Sequence, residues 1–161
     1  MERLWAPWRM SYIAKISDPG GCFLCAAAAD SEHDDDNFVI WRTKHSFCIV
    51  NLYPYNNGHL MVVPCRHIGD LPSLSCDERM DLLDGLARTE DLLRKVMKPN
   101  GFNIGFNIGK AAGAGVAEHV HAHIVPRWDG DTNFMPVLAD VKIVPQALKD
   151  LYAQLKEALK E

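Results

Sequence analysis

His119, His121 and His123 alternate with Val120, Ala122 and Ile124. A period of two belongs to a β-strand, so the histidines share one face and the apolar residues take the other. Pro126 has no N–H for a ladder and is expected to end that strand. A shared catalytic metal is excluded by distance, because strand residues i and i+4 lie ~13 Å apart. Histidine chemistry remains. A neutral imidazole attacks phosphorus without prior deprotonation at pH 7 and leaves readily as a phosphorus-bound cation. His121, the middle of the ridge, is the expected nucleophile, its other ring nitrogen donating to a backbone carbonyl. His123, with His59 behind it, is placed to orient a phosphate and assist proton movement. None of this needs a metal.

The histidines are fed by Asn107-Ile108-Gly109-Lys110-Ala111-Ala112-Gly113-Ala114-Gly115. Glycines with small neighbours let backbone N–H groups approach an anion, phosphate above all. Gly109, Gly113, Ala114 and Gly115, with Asn107, His121 and His123, are the candidate phosphate-binding residues; a plain flexible turn is the competing reading. Cys22-x-x-Cys25 has the spacing of half a structural zinc site, with His67 and His119 as candidates for the other half. Two buried cysteines acting as small hydrophobes, or a redox pair, are the alternatives.

The elements that must position these residues follow from pattern. Strand-like segments cover 38–41, 46–52, 59–63 and 102–108, besides the histidine strand. The turn-forming residues 53–58 make the second and third antiparallel neighbours. Ser75 and Glu78 form a capping box that opens a helix over 76–97, with Leu82, Leu86, Leu93 and Val96 on one stripe, stopped by Pro99-Asn100-Gly101. A second amphipathic helix is expected over about 145–160, with Pro145 in its first turn, and a short one at the alanines 26–29. The acidic run Glu32-His33-Asp34-Asp35-Asp36-Asn37 reads as an exposed loop. Short, hairpin-like connections give an α+β class with a mainly antiparallel sheet of about five strands, one long central helix and short flanking helices.

At 161 residues the chain is expected to form a single domain with an aromatic N-terminal arm, residues 1–17, whose Trp5 and Trp8 should dock on the body or on a second subunit. The net charge of −4 argues against a broad nucleic-acid footprint but leaves room for one phosphorylated ligand. No apolar run reaches the ~20 residues of a membrane span. Without an export signal the expected address is cytoplasmic, and five cysteines do not read as a disulfide framework.

The residues 119–125 match the motif His-φ-His-φ-His-φ-φ, with φ apolar, and the sequence resembles the histidine triad (HIT) superfamily. Gly58-His59-Leu60-Met61-Val62-Val63-Pro64 and Asn107-x-Gly109 extend the match. Leu4-Trp5-Ala6-Pro7-Trp8-Arg9 and the stretch from Arg127 to Met135 are similar to the bacterial branch related to diadenosine tetraphosphate phosphorylases and hydrolases. The resemblance implies a five-stranded antiparallel HIT-like fold, a homodimer with joined sheets, a nucleotide in each cleft, and nucleotidyl transfer or hydrolysis at an α-phosphate through a nucleotidyl-histidine. It also implies that His67 and His119 complete a structural zinc site with Cys22 and Cys25. Relatives commonly carry Gln-Ser or Gln-Thr before the triad, where this chain has Gly113-Ala114-Gly115-Val116, so side-chain phosphate donors are missing from the loop. A slow-turnover nucleotide-binding regulator using the same cleft is the competing function.

Overall fold

A computed structural model of the chain describes residues 21–131 and 144–160. The aromatic arm and residues 132–135 of the extended match therefore lie outside the described residues. Five strands, β1 (Val39–Arg42), β2 (Ser46–Val50), β3 (Leu60–Pro64), β4 (Gly101–Phe106) and β5 (Ala122–Arg127), form one sheet in the order β1-β2-β3-β5-β4. Every neighbouring pair is antiparallel. Among the described residues four helices accompany it: α1 (Phe23–Ala29), α2 (Asp34–Asn37), α3 (Cys76–Met97) and α4 (Leu148–Ala158).

The expected capping box is present: the Glu78 N–H donates to Ser75 Oγ and the Ser75 N–H to Glu78 Oε2. The Arg66 guanidinium also grips Glu78 and, with the Ser75 N–H, holds its carboxyl down at about 2. Leu82, Leu86, Leu92 and Leu93 of α3 pack with Leu151, Tyr152 and Leu155 of α4 on one face of the sheet, against Val62, Val120, Ala122 and Ile124. Gly85 permits that approach, since a Cβ there would lie 2.7 Å from Trp41 Cη2. Leu24 and Ala27 of α1 cover part of the other face with Phe47, Met61 and Val63.

Four expectations are corrected. The acidic run is exposed at Glu32, His33, Asp35 and Asp36 as expected, but it is not a loop: it forms a 3-10 turn, Ser31–His33, and then α2. Arg42 binds Asp34 through Nε and Nη2 at 2.9 and 2.5 Å, and the Tyr152 hydroxyl donates to Asp35 at 2.6 Å. The histidine strand begins only at Ala122; the segment before it is held by the Val120 N–H donating to Ile68 O. Pro126 lies inside β5 rather than ending it. Its carbonyl accepts from Asn56 Nδ2, and a strand residue's N and C=O face the same side, so the missing N–H points beyond β3, whose pairing stops at Leu60↔Ile124. Pro145 likewise precedes α4, whose N-cap is Ala147.

Candidate active site

Alternation splits the histidine segment as expected. Val120, Ala122 and Ile124 enter the α3 core, while His121 and His123 open onto a cleft of about 410 Å³ on the opposite face. The cleft is also lined by Phe23, Asn51, Tyr53, Tyr55, Met61, Asn107, Gly113, Gly115 and Val116.

His121 Nδ1 lies 2.8 Å from the His119 carbonyl oxygen. A carbonyl only accepts, so Nδ1 carries the proton and the lone pair resides on Nε2. Burial, opposed by that hydrogen bond, lowers the His121 pKa and keeps the ring neutral near pH 7. A second chain of bonds sets His59 and His123. The Tyr55 backbone N–H donates to His59 Nδ1 at 3.0 Å, so His59 holds its proton on Nε2. That nitrogen donates to His123 Nδ1 at 3.0 Å, which leaves the His123 proton on Nε2. Burial first, then the neighbouring histidines, pushes His59 to about 3 and His123 to about 4. One end of the Asn107 carboxamide, placed there as Nδ2, lies 3.3 Å from both His123 Nε2 and the Tyr55 hydroxyl. With the proton on His123 Nε2, a half-turn that presents the carboxamide oxygen satisfies both neighbours.

The glycine loop folds as a 3-10 turn, Lys110–Ala112, with Gly109 and Gly113 at φ 80 and 85, a region costly for other residues. Turn closure consumes expected phosphate donors: the Ala114 N–H bonds Gly109 O and the Gly113 N–H bonds Lys110 O. Gly115 and Val116, which also line the cleft, stand outside this turn closure. Gly109 and Ala114 shape the loop without lining the cleft, and His59 stands behind His123 rather than in it.

His119 turns away from its two neighbours. Its Nδ1 lies 3.3 Å from Cys22 Sγ and 3.4 Å from Cys25 Sγ, and His67 Nδ1 lies 3.2 Å from Cys25 Sγ. All four ligand atoms fall within 4.8 Å of one another. A tetrahedral zinc with Zn–S ~2.3 Å and Zn–N ~2.0 Å has ligand–ligand edges of about 3.3–3.8 Å, so the donor set and its spacing fit. His119 Nε2 donates to Pro64 O at 2.8 Å, which fixes the tautomer that frees Nδ1 for a metal. Burial and Cys22 push the Cys25 thiol up to about 11, so thiolate ligation needs a cation's help. Among the described residues this is the one such cluster.

Phe23, Asn51, Tyr53, Tyr55, Met61 and Val116 were not expected in the cleft. Two tyrosines in an otherwise polar turn were the available signal; nothing marked Phe23 between its two cysteines.

Comparison with known proteins matches the HIT domain model over residues 32–130. An AP-4-A phosphorylase of Mycobacterium tuberculosis is 39% identical over 156 residues, covering 93% of this chain and 80% of that protein. A bis(5'-nucleosyl)-tetraphosphatase (asymmetrical) of Schizosaccharomyces pombe is 39% identical over 93 residues, 58% of this chain and 50% of that one. Among solved structures, a Zn-bound histidine triad family protein from Mycobacterium smegmatis superposes with a TM-score of 0.69 at 25% identity, covering 87% of this chain and 94% of that chain. With the family model spanning more than half the sequence and all three histidines inside the matched region, the chain belongs to the HIT domain family.

Proposed function

We propose that the protein is a nucleotidyl-transferring enzyme that cleaves dinucleoside polyphosphates at an α-phosphate through a nucleotidyl-His121 intermediate. The observation that carries this is the tautomer of His121: Nδ1 is committed to the His119 carbonyl, so a neutral Nε2 lone pair is available at the cleft. Nε2 attacks the α-phosphorus as the bridging P–O bond breaks, and the polyphosphate leaves with the electron pair as an anion. The proton stays on His121 Nδ1, still donated to the His119 carbonyl, and that hydrogen bond stabilises the cationic phosphorylated imidazole. The Gly115 and Val116 amides and His123 Nε2–H receive charge on phosphoryl oxygens, each such donor contributing about 3–4 kcal/mol in acyl-transfer precedents. The resemblance to a mycobacterial AP-4-A phosphorylase supports inorganic phosphate as the acceptor that releases the nucleotide; the similarity to a tetraphosphatase supports water as the second acceptor.

Cys22, Cys25, His67 and His119 would hold a structural zinc that supplies folding energy and no step of the reaction. The protein acts as a homodimer in the cytoplasm. For the dimer, the support is the edge at β4, which among the described residues pairs β5 alone and leaves Ile104 45% and the following Ile108 44% exposed. Among the described residues no helix is long and apolar enough to cross a membrane.

The test is a nucleotide panel, with dinucleoside tri- and tetraphosphates and adenylylated small molecules each run with and without inorganic phosphate. Phosphate-dependent release of a nucleoside diphosphate from the tetraphosphate is expected. Cleavage of none of the polyphosphates would overturn the function.

A further inference from the structure

We propose that the Tyr55 hydroxyl is a substrate contact that reads the leaving polyphosphate and selects it over leaving groups without phosphoryl oxygens. This presupposes nucleotidyl transfer at His121. Three observations support it.

The first is convergence. The same point, held by one end of the Asn107 carboxamide, lies 3.3 Å from His123 Nε2 and 3.3 Å from the Tyr55 hydroxyl. With His123 Nε2 protonated, an acceptor oxygen there collects two N–H or O–H donors, and a phosphoryl oxygen that displaces the carboxamide inherits both. The second is position. The Tyr55 ring packs over His59 and His123, with centroids 4.6 and 5.6 Å away, while 54% of the residue stays exposed. Tyr55 thus stands at the open end of the cleft, beyond His123. A polyphosphate with several charges and a second nucleoside stays hydrated by leaving through that end. The third is a deficit. The stretch Gly113-Ala114-Gly115-Val116 before the histidines offers no side-chain donor, and no lysine or arginine is among the described residues lining the cleft. The described lining meets the leaving chain with neutral donors, and Tyr55 is the hydroxyl aligned with His123 to do so.

The donor's role is hydrogen bonding without proton transfer. When His121 Nε2 bonds to the α-phosphorus, the electron pair of the breaking P–O bond goes to a phosphate oxygen that is stable as an anion. His123 could surrender its Nε2 proton only if His59 resupplied it, and the His59 Nδ1 is backed by the Tyr55 backbone N–H, which has no proton to give. Both donors therefore keep their hydrogens and stabilise charge.

Tyr55→Phe removes the hydroxyl and retains the ring over the histidines and the backbone N–H to His59. Wild type and variant are compared on two substrates that form the same nucleotidyl-His121: a dinucleoside tetraphosphate and the p-nitrophenyl ester of a nucleoside monophosphate. Loss of one donor to an anionic oxygen lowers kcat/KM on the tetraphosphate by about 10- to 100-fold, while the aryl ester changes by less than about threefold. Equal losses on both substrates would make Tyr55 a prop for the histidine pair and overturn the proposal; so would no loss on either. A wild-type protein that labels from the aryl ester but never cleaves the tetraphosphate would instead overturn the substrate reading on which the proposal stands.

Discussion

His121→Asn separates nucleophile from scaffold. His121 is 6% exposed, and its ring meets His123 edge-on at 4.8 Å. Asparagine is smaller but polar, and its amide can still donate toward the His119 carbonyl, so the cost in stability is about 1–2 kcal/mol and the fold persists. The chemical loss is larger because no neighbour can substitute. His123 has Nδ1 occupied by His59 and a proton on Nε2, while His59 is fully buried. Turnover should fall by about 10⁴ or more, equivalent to about 5.5 kcal/mol of barrier. Nucleoside monophosphate affinity should stay within a few-fold, since the loop amides and cleft walls remain. His119→Asn keeps the acceptor carbonyl for His121 and should still accept label, its defect showing in metal content. The assay is acid-quench with labelled dinucleotide on wild type and both variants, with circular dichroism as the fold control. Covalent label retained on His121→Asn would show that another histidine is the nucleophile.

Purified without chelators, the protein should carry about one zinc per chain, and Cys25→Ser should lower both metal content and melting temperature; metal analysis giving under half an equivalent in the wild type refutes the site. The acid limb of kcat/KM should fall below the ordinary histidine value near 6.5, because burial depresses the His121 pKa and activity is lost only on protonation; a limb above that value contradicts the assignment. Stability should be full above pH 6.5 and decline as pH drops toward about 4 and 3, the folded-state values of His123 and His59, because the unfolded chain binds protons that the folded rings refuse. Urea unfolding between pH 6.5 and 5, above the carboxylate range, isolates this effect, and a flat profile there speaks against it. Light scattering should give about twice the 18.0 kDa chain mass, and a monomer at micromolar concentration removes the β4-edge dimer.

Wherever the deciding chemistry lies within a few residues, the sequence sufficed. Ser75 and Glu78 fix the start of α3 because a capping box is a local exchange of two hydrogen bonds, and the expected span 76–97 is the one observed. The alternation of histidines with Val120, Ala122 and Ile124 fixes which side chains enter the α3 core, since the pleat repeats every two residues even before regular pairing begins. Tertiary structure decided what each histidine faces. His119 faces sulfurs 97 and 94 residues away, and His59 reaches His123 across 64 residues. Pairings at that range depend on sheet order, which no local pattern encodes. The same holds for the acidic run, drawn into α2 by Arg42 and by Tyr152 from the far end of the chain. It holds too for Pro126, tolerated because β3 has already ended beside it, and for Tyr55, a turn residue by composition that packing sets over the two buried histidines.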